Sequence, residues 1–290
     1  MRKHLINLLL ISQYVLAHPH SPSETFLVRW EPETLVNGSP CLFQIRSARS
    51  LTSLSGAWQG RKVFFDFEES SRTWYGLAGV GIDTASGQYI LALEATLTNG
   101  ARIISSHPVT VGRGNYPTID ILVPQQFTEP DAETLARIKK ERAIKNKAFS
   151  RITNERLWIG GFAAPIDSVI TDFYGVKRIF NGARQSIHQG LDFRADTGTP
   201  IGAMNNGTVL IAQRMFYEGG FIVLNHGRGL MTLYMHLSEI KVNEGDRVKT
   251  GQIIGSSGAT GRVTGPHLHV GVRWQGFYLN PETLWQFNIQ

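Results

Sequence analysis

Cys41 is the single cysteine in 290 residues, which excludes internal disulfides and cysteine-based zinc modules. Charge is also sparse: Asp, Glu, Lys and Arg make up 18% of the chain, against the usual quarter or so. The formal charge of +6 comes from scattered basic residues; a solvated helix face explains their main concentration, Arg137 to Lys147, as well as a binding patch does, and no nucleic-acid partner is expected. No apolar run reaches the roughly 20 residues that cross a bilayer. What the chain does have is 42% hydrophobic residues, 30 Gly and 12 Pro. That composition excludes disordered, collagen-like and coiled-coil proteins and suits many short strands joined by tight turns.

The N-terminus reads as an address. Arg2 and Lys3 precede a mostly apolar stretch, Leu5 to Leu16, and Val15-Leu16-Ala17 supplies small residues before a cut. Residues 1–17 are therefore predicted to be a signal peptide. Its removal would take away Arg2 and Lys3, leave His18 first and lower the formal charge from +6 to +4. A soluble, monomeric, periplasmic or secreted protein without a membrane span is the expectation.

The remainder divides into two β-rich halves and a connector. Residues 18–112 carry short β-branched and aromatic runs, such as Leu42-Phe43-Gln44-Ile45 and Arg61 to Phe67, broken at Asn37-Gly38-Ser39-Pro40 and at Asn99-Gly100, a hairpin signal. About seven strands are predicted here, in an immunoglobulin-like β-sandwich, and Asp83 to Tyr89 resembles the approach to a tyrosine corner. Residues 113–156 form the connector, with a helix opened by Pro130 and Asp131 and carrying Leu135, Ile138, Arg142 and Lys145 at spacings of three and four. Residues 157–290 return to a β pattern that predicts a mainly β fold with an antiparallel sheet, and glycine density rises sharply.

The chemistry lies in that last half. Four of the nine histidines and one aspartate fall in three short elements: His188-Gln189-Gly190-Leu191-Asp192, Tyr234-Met235-His236-Leu237 and Pro266-His267-Leu268-His269-Val270. Side chains alternate along a strand, so His267 and His269 share one face while Leu268, Val270 and Val272 continue an apolar face behind them. His188 and Asp192, four residues apart with Gly190 between, can converge on one point. By the same alternation Tyr234 shares a face with His236. Two imidazoles and a carboxylate suffice for zinc with an open fourth position, the arrangement of a hydrolytic site. Two further histidines are left for proton transfer and for stabilising charge. His226, beside Gly227, is expected to position a turn. The loop from Gly255 to Gly265 lacks a Walker-type lysine and a following helix pattern, so it is read as support for the paired-histidine strand.

From Asp172 to Pro281, about 110 residues, the chain resembles the lysostaphin-type (LytM-like) zinc metalloendopeptidases that cleave peptidoglycan peptides. The landmarks run in family order: Phe173-Tyr174-Gly175 with Arg178, His188 to Asp192, Gly198-Thr199-Pro200, Tyr234 to Ser238, Glu244 to Val248, and Thr260 to His269. The resemblance implies an antiparallel β-fold with a groove floored by one sheet. It also implies one zinc ion per chain on His188, Asp192 and His269, with His236 and His267 as the catalytic pair. His267 would act as general base and His236 would help to bind the carbonyl or the charged intermediate. The implied substrate is the peptide crosslinks of peptidoglycan stems, and the absence of a recognisable wall-targeting repeat favours a D,D-endopeptidase over a glycine-bridge enzyme.

Two alternatives stay open at this level. The same ligands could hold Fe(II) in an oxygenase-type triad, or the chain could be a non-catalytic cell-wall-binding or amidase-activating module. The N-terminal β-domain, which shows no catalytic set, is expected either to bind wall polymer or a partner, or to lie over the groove and restrain it.

Overall fold

The structure is a computed structural model that describes residues 26–182 and 184–287; the signal-peptide assignment falls outside those residues. The fold is mainly β, with 49% of residues in strands and 10% in helix. Among the described residues no helix is long and apolar enough to cross a membrane.

Among the described residues the N-terminal half holds eight strands, one more than the sequence suggests, in two four-stranded antiparallel sheets. The extra strand comes from Arg61 to Phe67, which reads as one run. The chain changes sheet at Phe65: Arg61–Phe64 pairs with Leu51–Trp58, and Asp66–Glu68 pairs with Thr73–Gly79. Phe65 is buried at the crossing, where Gly56 and Gly76 leave room for its ring. The two sheets meet through Phe43 and Trp58, whose rings are 5.3 Å apart and edge-to-face. Asn99-Gly100 turns the hairpin between Gly87–Leu97 and Arg102–Val111. Tyr89 donates its hydroxyl to the carbonyl of Ala85 at 2.8 Å, closing the corner that the sequence suggested.

In the C-terminal half the principal sheet has eight strands. Its central order is Ile170–Asp172, Leu191–Arg194, His267–Trp274, Leu230–Leu237, Gly219–Gly227 and Gly207–Met215, all neighbours antiparallel. Leu268, Val270 and Val272 are fully buried on the face opposite the paired histidines, as alternation requires. A short hairpin of Lys177–Phe180 and Arg184–Ile187 stands beside this sheet. The connector contributes a strand here that the sequence did not reveal. Thr118–Ile121 pairs in parallel with Lys177–Phe180, while the expected helix runs over Ala132–Phe149 behind an Asp131 N-cap that accepts from Thr134 N–H at 2.8 Å.

Alternation also decides where the sandwich sits. On the strand Phe277–Leu279, Phe277 and Leu279 point to the face opposite Tyr278. Leu279 packs so closely on Gly79 that a Cβ there would lie 2.5 Å from its side chain, and the Arg61 guanidinium sits 3.4 Å from the centre of the Phe277 ring. Asp66 pairs with Arg228 at 2.6 and 2.7 Å, and Arg61 donates to the carbonyl of Gln275 at 2.7 Å. The sandwich is thus fixed to the reverse of the sheet.

Candidate metal centre

His269 and Asp192 lie on adjacent antiparallel strands and are register partners, which sets both side chains on one face. His188 reaches the same point from the end of the neighbouring hairpin. Gly190 makes this possible by closeness rather than by a turn: a Cβ there would lie 2.2 Å from the carbonyl of Val270 and 2.6 Å from His269 Nε2. His188 Nε2 and His269 Nδ1 are 3.0 Å apart, and they lie 3.0 and 2.8 Å from Asp192 Oδ1. Tetrahedral ligands about 2.1 Å from a metal would be separated by roughly 3.4 Å. The triangle is close to that size, and the three ligand atoms fit a divalent ion.

Each ligand is oriented from behind. His188 Nδ1 lies 2.8 Å from the carbonyl of Phe173. A carbonyl can only accept, so Nδ1 carries the hydrogen and Nε2 presents a lone pair inward. Arg178 donates to Asp192 Oδ2 at 2.7 Å and to Asp172 Oδ2 at 2.6 Å, which leaves Asp192 Oδ1 for the ion. Burial pushes the Asp192 carboxyl up, but the adjoining His188 and His269 side chains outweigh it and hold the group well below the usual carboxylate range. Burial lowers His269 to about 4, so it stands neutral and able to ligate near pH 7.

The other two histidines face the same space. Ring centres of His236 and His267 are 4.8 Å apart, and His236 is 6.1 Å from His269. His267 Nδ1 lies 2.9 Å from the carbonyl of Gly265, and His236 Nδ1 lies 2.8 Å from that of Thr260. When neutral, both rings therefore keep the hydrogen on Nδ1 and turn Nε2 to the cavity as an acceptor. His236 has φ +66°, an uncommon conformation for a residue other than glycine, and its N–H donates to the carbonyl of Glu218 at 2.8 Å. Burial, reinforced by His267 and His269, pushes His236 down to about 3.

That local geometry overturns one expectation. Tyr234 does not share the face of His236, because the pairing with Gly219–Gly227 slips by a residue between Tyr234 and Leu237. Met235 and His236 consequently both line the cavity, while Tyr234 is fully buried and accepts from Met204 N–H at 2.9 Å. His226 is likewise structural. It is fully buried, with Nδ1 2.7 Å from the carbonyl of Asn206 and Nε2 2.8 Å from Thr232 Oγ1.

Burial lowers His226 to about 4, below its unfolded value of about 6.5. The folded protein binds this proton less readily than the unfolded chain does. Its contribution to stability is therefore complete above about pH 6.5 and is lost as pH falls towards 4, at up to about 1.4 kcal/mol per pH unit. Thermal unfolding of wild type and His226→Gln across that range should show a shallower acid decline in the variant. Parallel curves would contradict the assignment.

The cavity around the site has a volume of about 520 Å³ and is open to solvent. One wall is the hairpin with Arg178, Phe180 and Ile187, and the other carries Tyr217, Glu218 and Arg262. None of residues 26–111 lines it; the connector does, through Ile121, Val123 and Lys145. The sequence named the five central residues. It assigned no role at the site to Arg178, Asp172, Thr260, Glu218 or the connector residues, because they are scattered in sequence and only pairing brings them together.

Residues 186–281 match the profile of Peptidase family M23. Over 86 residues the chain is 48% identical to peptidoglycan DD-endopeptidase ShyA of Vibrio cholerae serotype O1, which is 30% of this chain and 20% of that relative's length. The crystal structure of a putative peptidase M23 from Pseudomonas aeruginosa superposes with a TM-score of 0.66 at 26% identity, covering 87% of this chain and 96% of that one. The catalytic domain of the antimicrobial peptidase lysostaphin from Staphylococcus simulans is 35% identical over 42% of this chain and 94% of its own, with a TM-score of 0.38.

Proposed function

We propose that this chain, whose residues 186–281 match Peptidase family M23, is an exported zinc endopeptidase that hydrolyses the peptide crosslinks of peptidoglycan. The carrying observation is that the His188–Asp192–His269 triangle and the Nε2 atoms of His236 and His267 face one open groove. Zinc suits two imidazoles and one carboxylate with a position left for water, and when bound it would acidify that water and polarise a carbonyl oxygen.

The chain's own residues supply the rest. His267 Nε2 accepts the proton of the attacking water as the peptide carbonyl is attacked. His236 Nε2 carries no hydrogen at rest, so it hydrogen-bonds the developing oxyanion only after taking over the proton that His267 has accepted from the water. Protonation at Nε2 is supported by the Thr260 carbonyl, which accepts from Nδ1–H in both charge states. The two histidines thus divide proton acceptance and charge stabilisation between them, and the leaving amine takes its proton back from the pair. Arg178 keeps Asp192 oriented throughout.

A D,D-crosslink is the preferred substrate, supported by the similarity to the peptidoglycan DD-endopeptidase of Vibrio cholerae. Export follows from the predicted leader and from where such a substrate lies. Purified sacculi with direct D-alanyl crosslinks and sacculi with glycine bridges, digested separately and read by mass spectrometry, test this reading. New D-alanyl termini from the first are expected. Release from glycine-bridged wall alone, or activity that requires iron and oxygen, contradicts it.

A further inference from the structure

We propose that Glu218 is an ammonium-binding subsite of the groove, and that Lys145 of the connector helix occupies it in this structure. The inference rests on the reading of the cavity as a peptide-binding groove and adds to it the charge of the peptide group bound there.

Glu218 sits in the turn between Gly207–Met215 and Gly219–Gly227, beside Tyr217, and only 8% of it is exposed. It lines the same cavity as His236 and His267, and its own carbonyl accepts from His236 N–H. One carboxylate oxygen, Oε1, is paired with Lys145 Nζ; the other, Oε2, is buried without a hydrogen-bond partner. A carboxylate this far from water is costly unless fully paired. The groove therefore contains an anion that is only half satisfied, and its cation comes from a separate element.

That element packs on the core only through its last turn, where Ala148 and Phe149 meet a buried cluster, and is otherwise held by polar contacts. Of the 18 residues in Ala132–Phe149 only Glu141 is buried, while Leu135 and Ile144 stay exposed. One turn before Lys145 and on the same helix face, Glu141 accepts from Phe216 N–H at 2.9 Å and pairs with Arg137 at 2.7 Å. Glu141 thus docks the helix on the turn, and Lys145 extends from it into the groove. Polar contacts of this kind can be exchanged for equivalent ones from a ligand. A primary ammonium on the bound peptide, such as the free amine of a diamino acid in the stem, replaces Lys145 Nζ without leaving Glu218 unpaired. Lys145 then acts as an internal competitor.

The test uses the full chain and a soluble crosslinked stem-peptide dimer bearing a free diamino-acid amine, together with the same dimer N-acetylated at that amine. The ratio of kcat/KM for the free over the acetylated dimer should fall about tenfold in Glu218→Gln. In Lys145→Met, KM for the free dimer should drop severalfold, and combining the two substitutions should abolish that gain. Should no dimer be cleaved, calorimetric Kd values for both dimers give the same selectivity ratio, so the subsite is judged independently of the peptidase reading. A ratio unchanged within twofold in Glu218→Gln, or an unchanged KM or Kd in Lys145→Met, overturns the proposal.

Discussion

Asp192→Ala is expected to lose the metal and all measurable hydrolysis while remaining folded. The carboxylate supplies one corner of the ligand triangle through Oδ1 and anchors Arg178 through Oδ2. Its removal leaves two imidazoles, one of them lowered to about 4 by burial, and an arginine held only by Asp172. Residues that merely orient a ligand typically cost about 10- to 100-fold when lost, and loss of a ligand should exceed that range. Arg178→Ala is the natural comparison, because it keeps all three ligand atoms and should fall within that range. Plasma mass spectrometry of the purified proteins, alongside release of crosslinked fragments from sacculi, separates the cases. Stoichiometric zinc in folded Asp192→Ala would remove Asp192 from the ligand set.

The second large effect should dissociate metal binding from turnover. Substituting His236 or His267 leaves the triangle of His188, Asp192 and His269 intact, so zinc should stay bound while kcat falls by on the order of 100-fold or more, the usual scale for a positioned acid or base. The choice of substitution matters at position 236. Its φ of +66° is tolerated by asparagine better than by alanine, so His236→Asn removes the imidazole without adding backbone strain. His267→Ala is acceptable because residue 267 is in ordinary strand conformation. Near-normal cleavage in both variants at full zinc occupancy would contradict the division of labour between the two rings.

The connector replaces the sandwich as the element that touches the groove. A β-domain lying over the site was one of two expectations for the N-terminal half, yet Phe277 and Leu279 hold that domain on the reverse of the sheet. Ile121, Val123 and Lys145 reach the cavity instead. Thr118-Ile119-Asp120-Ile121 gave no strand signal because it is four residues long, lies between Pro117 and Pro124, and is almost wholly exposed. Its strand conformation comes from pairing with Lys177–Phe180, some 60 residues away in sequence.

The sequence by itself determined which residues make up the candidate site, since His188, Asp192, His236, His267 and His269 sit in short motifs. Period-two alternation is enough to put His267 and His269 on one face and Leu268, Val270 and Val272 on the other, and the structure keeps that division. It determined the mainly β fold, the hairpin at Asn99-Gly100 and the helix start at Asp131 for the same reason, because turn and cap residues act over three or four positions. Only the tertiary structure decided the rest. The slip in pairing that turns Tyr234 away from His236, the change of sheet at Phe65, the Asp172–Arg178–Asp192 link and the Lys145–Glu218 pair all depend on which strands lie side by side. Register and packing between distant segments set these contacts, and no window of sequence a few residues long contains that information.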